Sequence, residues 1–214
     1  MLTQARFDPE SVRKLFDAMA STYGHVNLLS SFGFTARWRH QAMRGLTLYS
    51  AGCVVDLMSG MGELWRSLGR ELPNSAHVIG VDISPAMAQR ARRKQRFSTE
   101  VVVADVLAWN PQPGLADVVV SSFGLKTFDR EQQRQVARKV AQLLKPGCSY
   151  SFVEISMPSF RPLRAAFMFY LKRVIPLVGQ ALLGDPECYR MLGAYTEAFW
   201  QCYAFRRLLE KCWP

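Results

Sequence analysis

The sequence predicts a doubly wound α/β fold around a mainly parallel sheet, and three observations predict it. A short apolar run, Cys53-Val54-Val55-Asp56-Leu57, enters a glycine turn, Ser59-Gly60-Met61-Gly62, and Glu63-Leu64-Trp65 opens a helix behind it. A second apolar run, Val78-Ile79-Gly80-Val81, ends in Asp82. Three more strand-like segments, Glu100 to Ala104, Asp117 to Ser122 and Ser149 to Ile155, alternate with helix-like ones, which is the pattern of βαβ units.

The elements follow in chain order. Residues 9–20 read as an amphipathic helix, with Val12, Leu15, Phe16 and Met19 on one face. Residues 36–50 read as a helix leading into the first strand. A helix from Glu63 to Leu72 ends at Pro73-Asn74, and strand two spans 77–82. Ser84-Pro85 then offers an N-cap followed by proline at the first helical position. Strand three delivers Asp105, and strand four carries Phe123-Gly124-Leu125-Lys126 at its tip. A helix over 129–144 stops at Lys145-Pro146-Gly147 before strand five. Pro158 to Leu183 is an aromatic-rich helical stretch, and Thr196 to Cys212 reads as one last helix. Five parallel strands are therefore expected.

Bulk properties bound the reading. The chain has 214 residues, enough for one domain with a substantial core, and 49% hydrophobic against 21% charged residues is ordinary for a globular protein. No apolar run reaches the ~20 residues of a membrane span, and Met1 to Glu10 lack a signal-peptide core, so a cytoplasmic location is expected. Five cysteines show no CxxC pair, and no metal site is expected. The net charge is +10, with Arg90, Arg92, Arg93, Lys94 and Arg96 clustered on or just after the helix that follows strand two. A solvated helix face is the first reading of that cluster, and an anionic membrane surface ranks ahead of RNA as the second.

A strand, a glycine turn and a helix bring a ligand close to bare backbone. A dinucleotide fingerprint asks for a third glycine where Trp65 stands, and the Gly-Lys-Ser/Thr of a P-loop is absent. Asp82 at the tip of strand two suits two ribose hydroxyls, while Glu63 repels a pyrophosphate and attracts an amine. A ribose, no phosphate and a cationic amino-acid end describe S-adenosylmethionine.

With Phe16 to Tyr23, Asn27, Ser31-Phe32-Gly33-Phe34, Arg37-Trp38-Arg39, Asp56 to Glu63, Asp82-Ile83-Ser84, Phe123-Gly124-Leu125, Leu144 to Gly147 and Tyr170 to Tyr189, nearly the whole chain enters the comparison. It resembles class I S-adenosylmethionine-dependent methyltransferases, and specifically the ubiquinone/menaquinone C-methyltransferase family. The resemblance implies a Rossmann-like sheet whose usual C-terminal β-hairpin is missing. It implies a single domain with an N-terminal helical lid over 1–50, a cofactor-binding core over 51–156 and an apolar helical flap over 157–214. The cofactor-binding residues it implies are Tyr23 in the lid, Asp56, Ser59, Gly60, Met61, Gly62 and Glu63 around the turn, and Asp82 with Ile83. Asp105 with Val106 would meet the adenine, and Ser121 with Phe123 lie at the strand-four tip. Five positions depart from the family pattern. Gly24 follows Tyr23 where aspartate is usual, Met58 replaces a small residue, Met61 replaces threonine, and Lys126-Thr127 stand where the quinone enzymes have arginine and asparagine.

Methyl transfer from a sulfonium needs positioning and water exclusion more than a catalytic triad. Candidates for a general base are Lys126, Glu154 and His25. The expected activity is C-methylation of an apolar aromatic or prenylated, quinone-like molecule. The alternatives are a tailoring methyltransferase of specialised metabolism with another acceptor, and a non-catalytic partner subunit. Nucleic acid is not an expected partner, because the Asn-Pro-Pro-Tyr motif and any RNA-binding module are absent. The uncovered sheet edge suggests a homodimer, and the greasy flap beside basic surface suggests contact with a membrane.

Overall fold

The computed structural model describes residues 6–94, 98–182, 186–199 and 201–212, so Arg96, Leu183 and Trp200 lie outside the described residues. Its centre is a sheet of five strands in the order β3-β2-β1-β4-β5. These are β1 (Cys53–Leu57), β2 (His77–Asp82), β3 (Ser98–Val103), β4 (Ala116–Ser122) and β5 (Leu144–Val153). Every pairing is parallel, with Val55 of β1 opposite both Ile79 and Val119. Val54, Val55 and Leu57 are wholly buried, as a strand covered on both faces must be. The chain leaves β1 towards β2 and β3, then crosses back to β4. The crevice at the carboxyl ends of β1 and β4 is thus the topological switch point, where open α/β sheets bind ligands.

Side chains alternate across the sheet. Val55, Leu57 and Val119 pack with helix α6 (Arg130–Leu143) and with Phe205 and Leu209 of α10 (Cys202–Cys212). Val54, Val78, Val118 and Val120 pack on the other side with Leu64, Trp65 and Met43. Between these ends of the chain lie α1 (Pro9–Met19), α2 (Tyr23–Ser30), α3 (Phe34–Met43), α4 (Trp65–Leu68), α5 (Pro85–Arg92), α7 (Arg161–Phe169), α8 (Ile175–Ala181) and α9 (Pro186–Phe199). A π-helical stretch, Tyr170–Val174, joins α7 to α8.

Several boundaries move from their sequence expectation. The helix over 36–50 ends at Met43, and the one after the glycine turn is a single turn. Strand five begins at Leu144 rather than Ser149. An edge strand tolerates Pro146 and absorbs Gly147, at φ 75, through the register shift between Ala116 and Val118. The expected last helix is two helices. Gln201 N–H bonds back to the Phe199 carbonyl and Cys202 N–H is taken by the Ser156 hydroxyl at 3.0 Å, so the helical ladder is interrupted there.

The N-terminal helices are fastened across the carboxyl edge of the sheet. Asp17 accepts from the Ser84 hydroxyl at 2.6 Å and from Ala86 N–H at 3.2 Å, docking α1 on the start of α5. Tyrosine hydroxyls tie the same segment to the C-terminal helices: Tyr189 meets the Thr22 hydroxyl at 2.7 Å, Tyr170 donates to the Ser30 carbonyl and Tyr195 to the Arg6 carbonyl. Met19, Tyr23, Val26, Met61 and Tyr189 form the apolar cluster beneath these ties.

Helix α7 has no buried residue, and Phe32, Phe160, Leu163 and Phe169 are each more than half exposed. Among the described residues no helix is long and apolar enough to cross a membrane. Arg92, Arg93 and Lys94 lie on an exposed face, Arg92 donating to the Val101 carbonyl at 2.9 Å.

The strand tips are tightly packed and conformationally strained. Met58 and Phe123 are non-glycine residues in the left-handed region, at φ 53 and 61, and they flank Gly124. A Cβ on Gly124 would lie 2.4 Å from the Met58 Cβ. Gly124→Ala is therefore expected to cost about 1–3 kcal/mol of stability in denaturant unfolding. Most of that loss should return in the double variant with Met58→Gly, which removes the opposing Cβ at a left-handed position that glycine tolerates; a Gly124→Ala protein as stable as wild type would contradict this packing.

Candidate active site

The glycine turn is held by the acids on either side of it. Gly60 N–H donates to Asp82 Oδ2 at 2.7 Å and Ser84 N–H to Oδ1 at 2.9 Å, so one carboxylate joins the tips of β1 and β2. Met61 N–H donates to Glu63 Oε2 at 3.0 Å, leaving Oε1 buried without a hydrogen-bond partner among the described residues. Trp65, the residue that breaks the dinucleotide pattern, lies flat between Gly62 and Gly80. A Cβ on either glycine would come within 2.7 Å of its ring. Its indole N–H donates to Asp56 Oδ2 at 3.1 Å beneath the turn.

Burial dominates the electrostatics. Asp82 is pushed up to about 6 by burial, against the pull of its two backbone hydrogen bonds, with Glu63 and Asp17 adding repulsion. Burial, then Glu63, holds Asp56 well above the ordinary carboxylate range. Burial and the charge of Glu63 raise Tyr23 as well, so its phenol is neutral at any physiological pH.

Tyr23, Gly60, Glu63 and Asp82 frame a narrow cleft of about 750 Å³, counted out to its mouth. Of the sequence-predicted residues, Tyr23, Gly60, Glu63, Asp82, Ile83, Asp105, Val106 and Phe123 line it. Asp105 accepts Leu107 N–H at 2.9 Å through Oδ1. Glu63 follows β1, Asp82 ends β2 and Asp105 follows β3, and these strands are neighbours in the sheet, so topology brings three acids to one edge. Asp56, Ser59 and Ser121 are buried and do not line the cleft, and Asp56 Oδ1, Ser59 Oγ and Ser121 Oγ join Glu63 Oε1 in having no partner among the described residues. Gly62 lines a recess on the other side of the turn.

A second, more apolar space of about 1180 Å³, counted out into open solvent, adjoins the first, with Trp38, Phe167, Tyr170 and Ile175 in its walls. Tyr23 and Phe123 line both. Lys126 lines the second space, but its ammonium is already engaged. It meets Glu154 Oε1 at 3.0 Å and donates to the Phe123 carbonyl, while Glu154 also accepts the N–H groups of Lys126 and Ile155 at 3.1 and 2.9 Å. The pair braces the strand-four tip, and both side chains are at most 5% exposed. His25 sits on the exposed face of α2 and lines neither space, because Tyr23 and Val26 take the inward positions. The three residues considered as bases are thus an occupied ion pair and a surface histidine.

Two departures noted in the sequence meet in space. The Met61 side chain turns out of the cleft into the cluster with Met19 and Tyr23. Its methyl would lie 3.2 Å from a Cβ on Gly24. Gly24 therefore leaves the room that Met61 fills. Met58, by contrast, remains in the cleft wall.

Sequence reasoning missed Arg39 and Ser122 as cleft residues. The signal for Arg39 was available, since Thr35, Arg39 and Met43 recur at helical spacing and are the three buried residues of α3. For Ser122 the choice against Ser121 depended on strand orientation: Ser121 faces inward, Ser122 the cleft.

Comparison with known proteins agrees with this architecture. A ubiquinone/menaquinone biosynthesis C-methyltransferase, UbiE, from Syntrophotalea carbinolica is 33% identical over 194 residues, covering 89% of this chain and 80% of the relative. A demethylmenaquinone methyltransferase from Thermus thermophilus is 30% identical over 188 residues, covering 86% and 84%. A solved structure from Bacillus halodurans C-125 shares the fold, with a TM-score of 0.59 at 13% identity over 81% of this chain and 67% of that one. The family model described as the ubiE/COQ5 methyltransferase family matches residues 4–213, and the chain belongs to that family.

Proposed function

We propose that this protein is an S-adenosylmethionine-dependent methyltransferase that methylates a ring carbon of an apolar, quinol-like acceptor. The observation that carries the reading is the pair of adjoining spaces, one edged by three acids and one walled by aromatics, with Tyr23 and Phe123 common to both. The residues present suit the cofactor. Glu63 has a buried oxygen without a partner, matching an ammonium, and Asp82 keeps free lone pairs for ribose hydroxyls beyond its two backbone bonds. Asp105 and Val106 would meet the adenine. When bound, S-adenosylmethionine supplies an electrophilic methyl group on a sulfonium.

The chain's own work in this reading is positioning and exclusion of water. Tyr23, kept neutral, serves as a hydrogen-bond donor where the two spaces meet. Lys126 presents its ammonium to the acceptor side while Glu154 and the Phe123 carbonyl hold it in place. The segment over 1–50 acts as a lid and that over 157–214 as an apolar flap, fastened to each other by the three tyrosine hydroxyls. The exposed Phe32, Phe160, Leu163 and Phe169 support work at the periphery of a membrane on the cytoplasmic side, where a prenylated acceptor would be found. Beyond β5 no further strand pairs among the described residues, which supports the homodimer reading.

The test is calorimetric titration with S-adenosylmethionine and S-adenosylhomocysteine, followed by labelled methyl transfer to prenylated quinols under reducing conditions. Micromolar binding and label in the prenylated product are expected. Binding with label only in unprenylated compounds would replace the quinol reading with a tailoring enzyme. No binding of either ligand would leave a non-catalytic partner subunit.

A further inference from the structure

Helix α3 places a cation in the cleft that the three acids do not neutralise. Arg39 is 8% exposed and lines the first cleft, but it forms no ion pair among the described residues. Its Nε donates to the Ser122 hydroxyl at 3.3 Å, and its guanidinium carbon lies 5.0 Å from the centroid of the Phe123 ring. A cleft-lining guanidinium with one long neutral hydrogen bond keeps most of its five N–H donors available to a ligand. Glu63, in the same cleft wall, has the complementary deficit in its buried, unpartnered Oε1. The two charges share a cavity without closing on each other.

We propose that Arg39 and Glu63 form a receptor for a zwitterion, Arg39 taking the carboxylate and Glu63 the ammonium of the cofactor's amino-acid end. The inference rests on the cofactor reading above and assigns a binding role to a residue that the motif reading left outside the site. Arginine suits the task because its planar fork meets both carboxylate oxygens while its flat face stays on the Phe123 ring. A phosphate-bearing ligand fits less well, since Glu63, Asp82 and Asp105 line the same cleft. The missing hydroxyl at Met61, which points away into the helical cluster, places more of the recognition on Arg39.

The experiment separates the groups on the ligand before touching the protein. Calorimetric affinities are measured for S-adenosylhomocysteine, for its decarboxylated aminopropyl analogue and for 5′-methylthioadenosine, which lacks both charges. Wild type should lose about tenfold to hundredfold on removal of the carboxylate alone. Arg39→Met should lose a similar factor for S-adenosylhomocysteine yet bind the decarboxylated analogue within about twofold of wild type. Glu63→Gln should weaken both amine-bearing ligands and leave 5′-methylthioadenosine unchanged. Arg39→Lys keeps the charge without the fork, and a partial loss confined to S-adenosylhomocysteine is expected. If Arg39→Met does not fold, the wild-type ligand series and the lysine variant decide. Removal of the carboxylate without cost in wild type, or a loss shared equally by all three ligands in Arg39→Met, would overturn the proposal and leave Arg39 as a prop for Phe123. Failure of wild type to bind any of the three would instead remove the cofactor reading itself.

Discussion

Asp82→Ala is expected to lower the affinity for S-adenosylmethionine by about a hundredfold or more, which titration calorimetry reads directly. Two effects combine. The first is loss of the acceptor for Gly60 N–H and Ser84 N–H, which now hold the glycine turn against the start of α5 at 2.7 and 2.9 Å. The second is loss of the charge available to a ribose. Asp82 also makes the site sensitive to pH. Its carboxyl is raised from 3.8 to about 6, chiefly by burial, so between those values the unliganded fold binds this proton more tightly than the unfolded chain does. Its contribution to stability is therefore greatest below the ordinary carboxylate range and is lost as pH rises through about 6. Ligand binding that needs the carboxylate runs the other way and strengthens over the same interval. Melting curves and titrations across this window should show opposite slopes in wild type and flatter ones in Asp82→Ala. An alanine variant that binds as wild type does would refute the assignment.

Lys126→Met is expected to destabilise the fold by about 3–5 kcal/mol, the cost of leaving a buried carboxylate without its counter-ion. Glu154 is 1% exposed in its side chain, and the ammonium also holds the Phe123 carbonyl, whose residue sits at φ 61. Removal of the ammonium thus strands a charge and releases a strained tip together. The double variant Lys126→Met/Glu154→Gln should recover much of the loss, since a neutral amide can still accept from Lys126 or Ile155 backbone N–H. Urea unfolding measures both. A single variant within about 1 kcal/mol of wild type would show that the pair does not brace the tip, and would return Lys126 to candidacy for proton transfer.

Physical causes separate the features that were legible from those that were not. Strand β2 spans 77–82 as expected because continuous apolar burial, a following N-cap serine and a proline all mark the same boundaries. Five parallel strands were likewise readable from alternating strand and helix signals. The end of the chain was not, since Thr196 to Cys212 keeps helical spacing throughout. The interruption comes from the Ser156 hydroxyl, some 46 residues away in sequence. Strand five started early because β4 offered its edge to Leu144, a pairing that local turn signals at Pro146 and Gly147 cannot reveal.

In the site, local residue order determined the glycine turn, and sheet topology made its consequences follow. Glu63, Asp82 and Asp105 each lie at or beyond the carboxyl end of a strand, so adjacent parallel strands were enough to gather them. The sequence by itself thus determined the fold class, the gathering of three acids at one edge of the sheet, and the family. Only the tertiary structure decided which charged groups are free. Lys126 and Glu154 are 28 positions apart and neutralise each other, His25 faces outward, and Arg39 is left buried without an ion pair among the described residues. It also decided that Met61 vacates the cleft for the space beside Gly24, whereas Met58 stays. Strands are read from burial patterns that repeat along the chain, but the pairing of a charge or the direction of a side chain depends on neighbours contributed by distant segments.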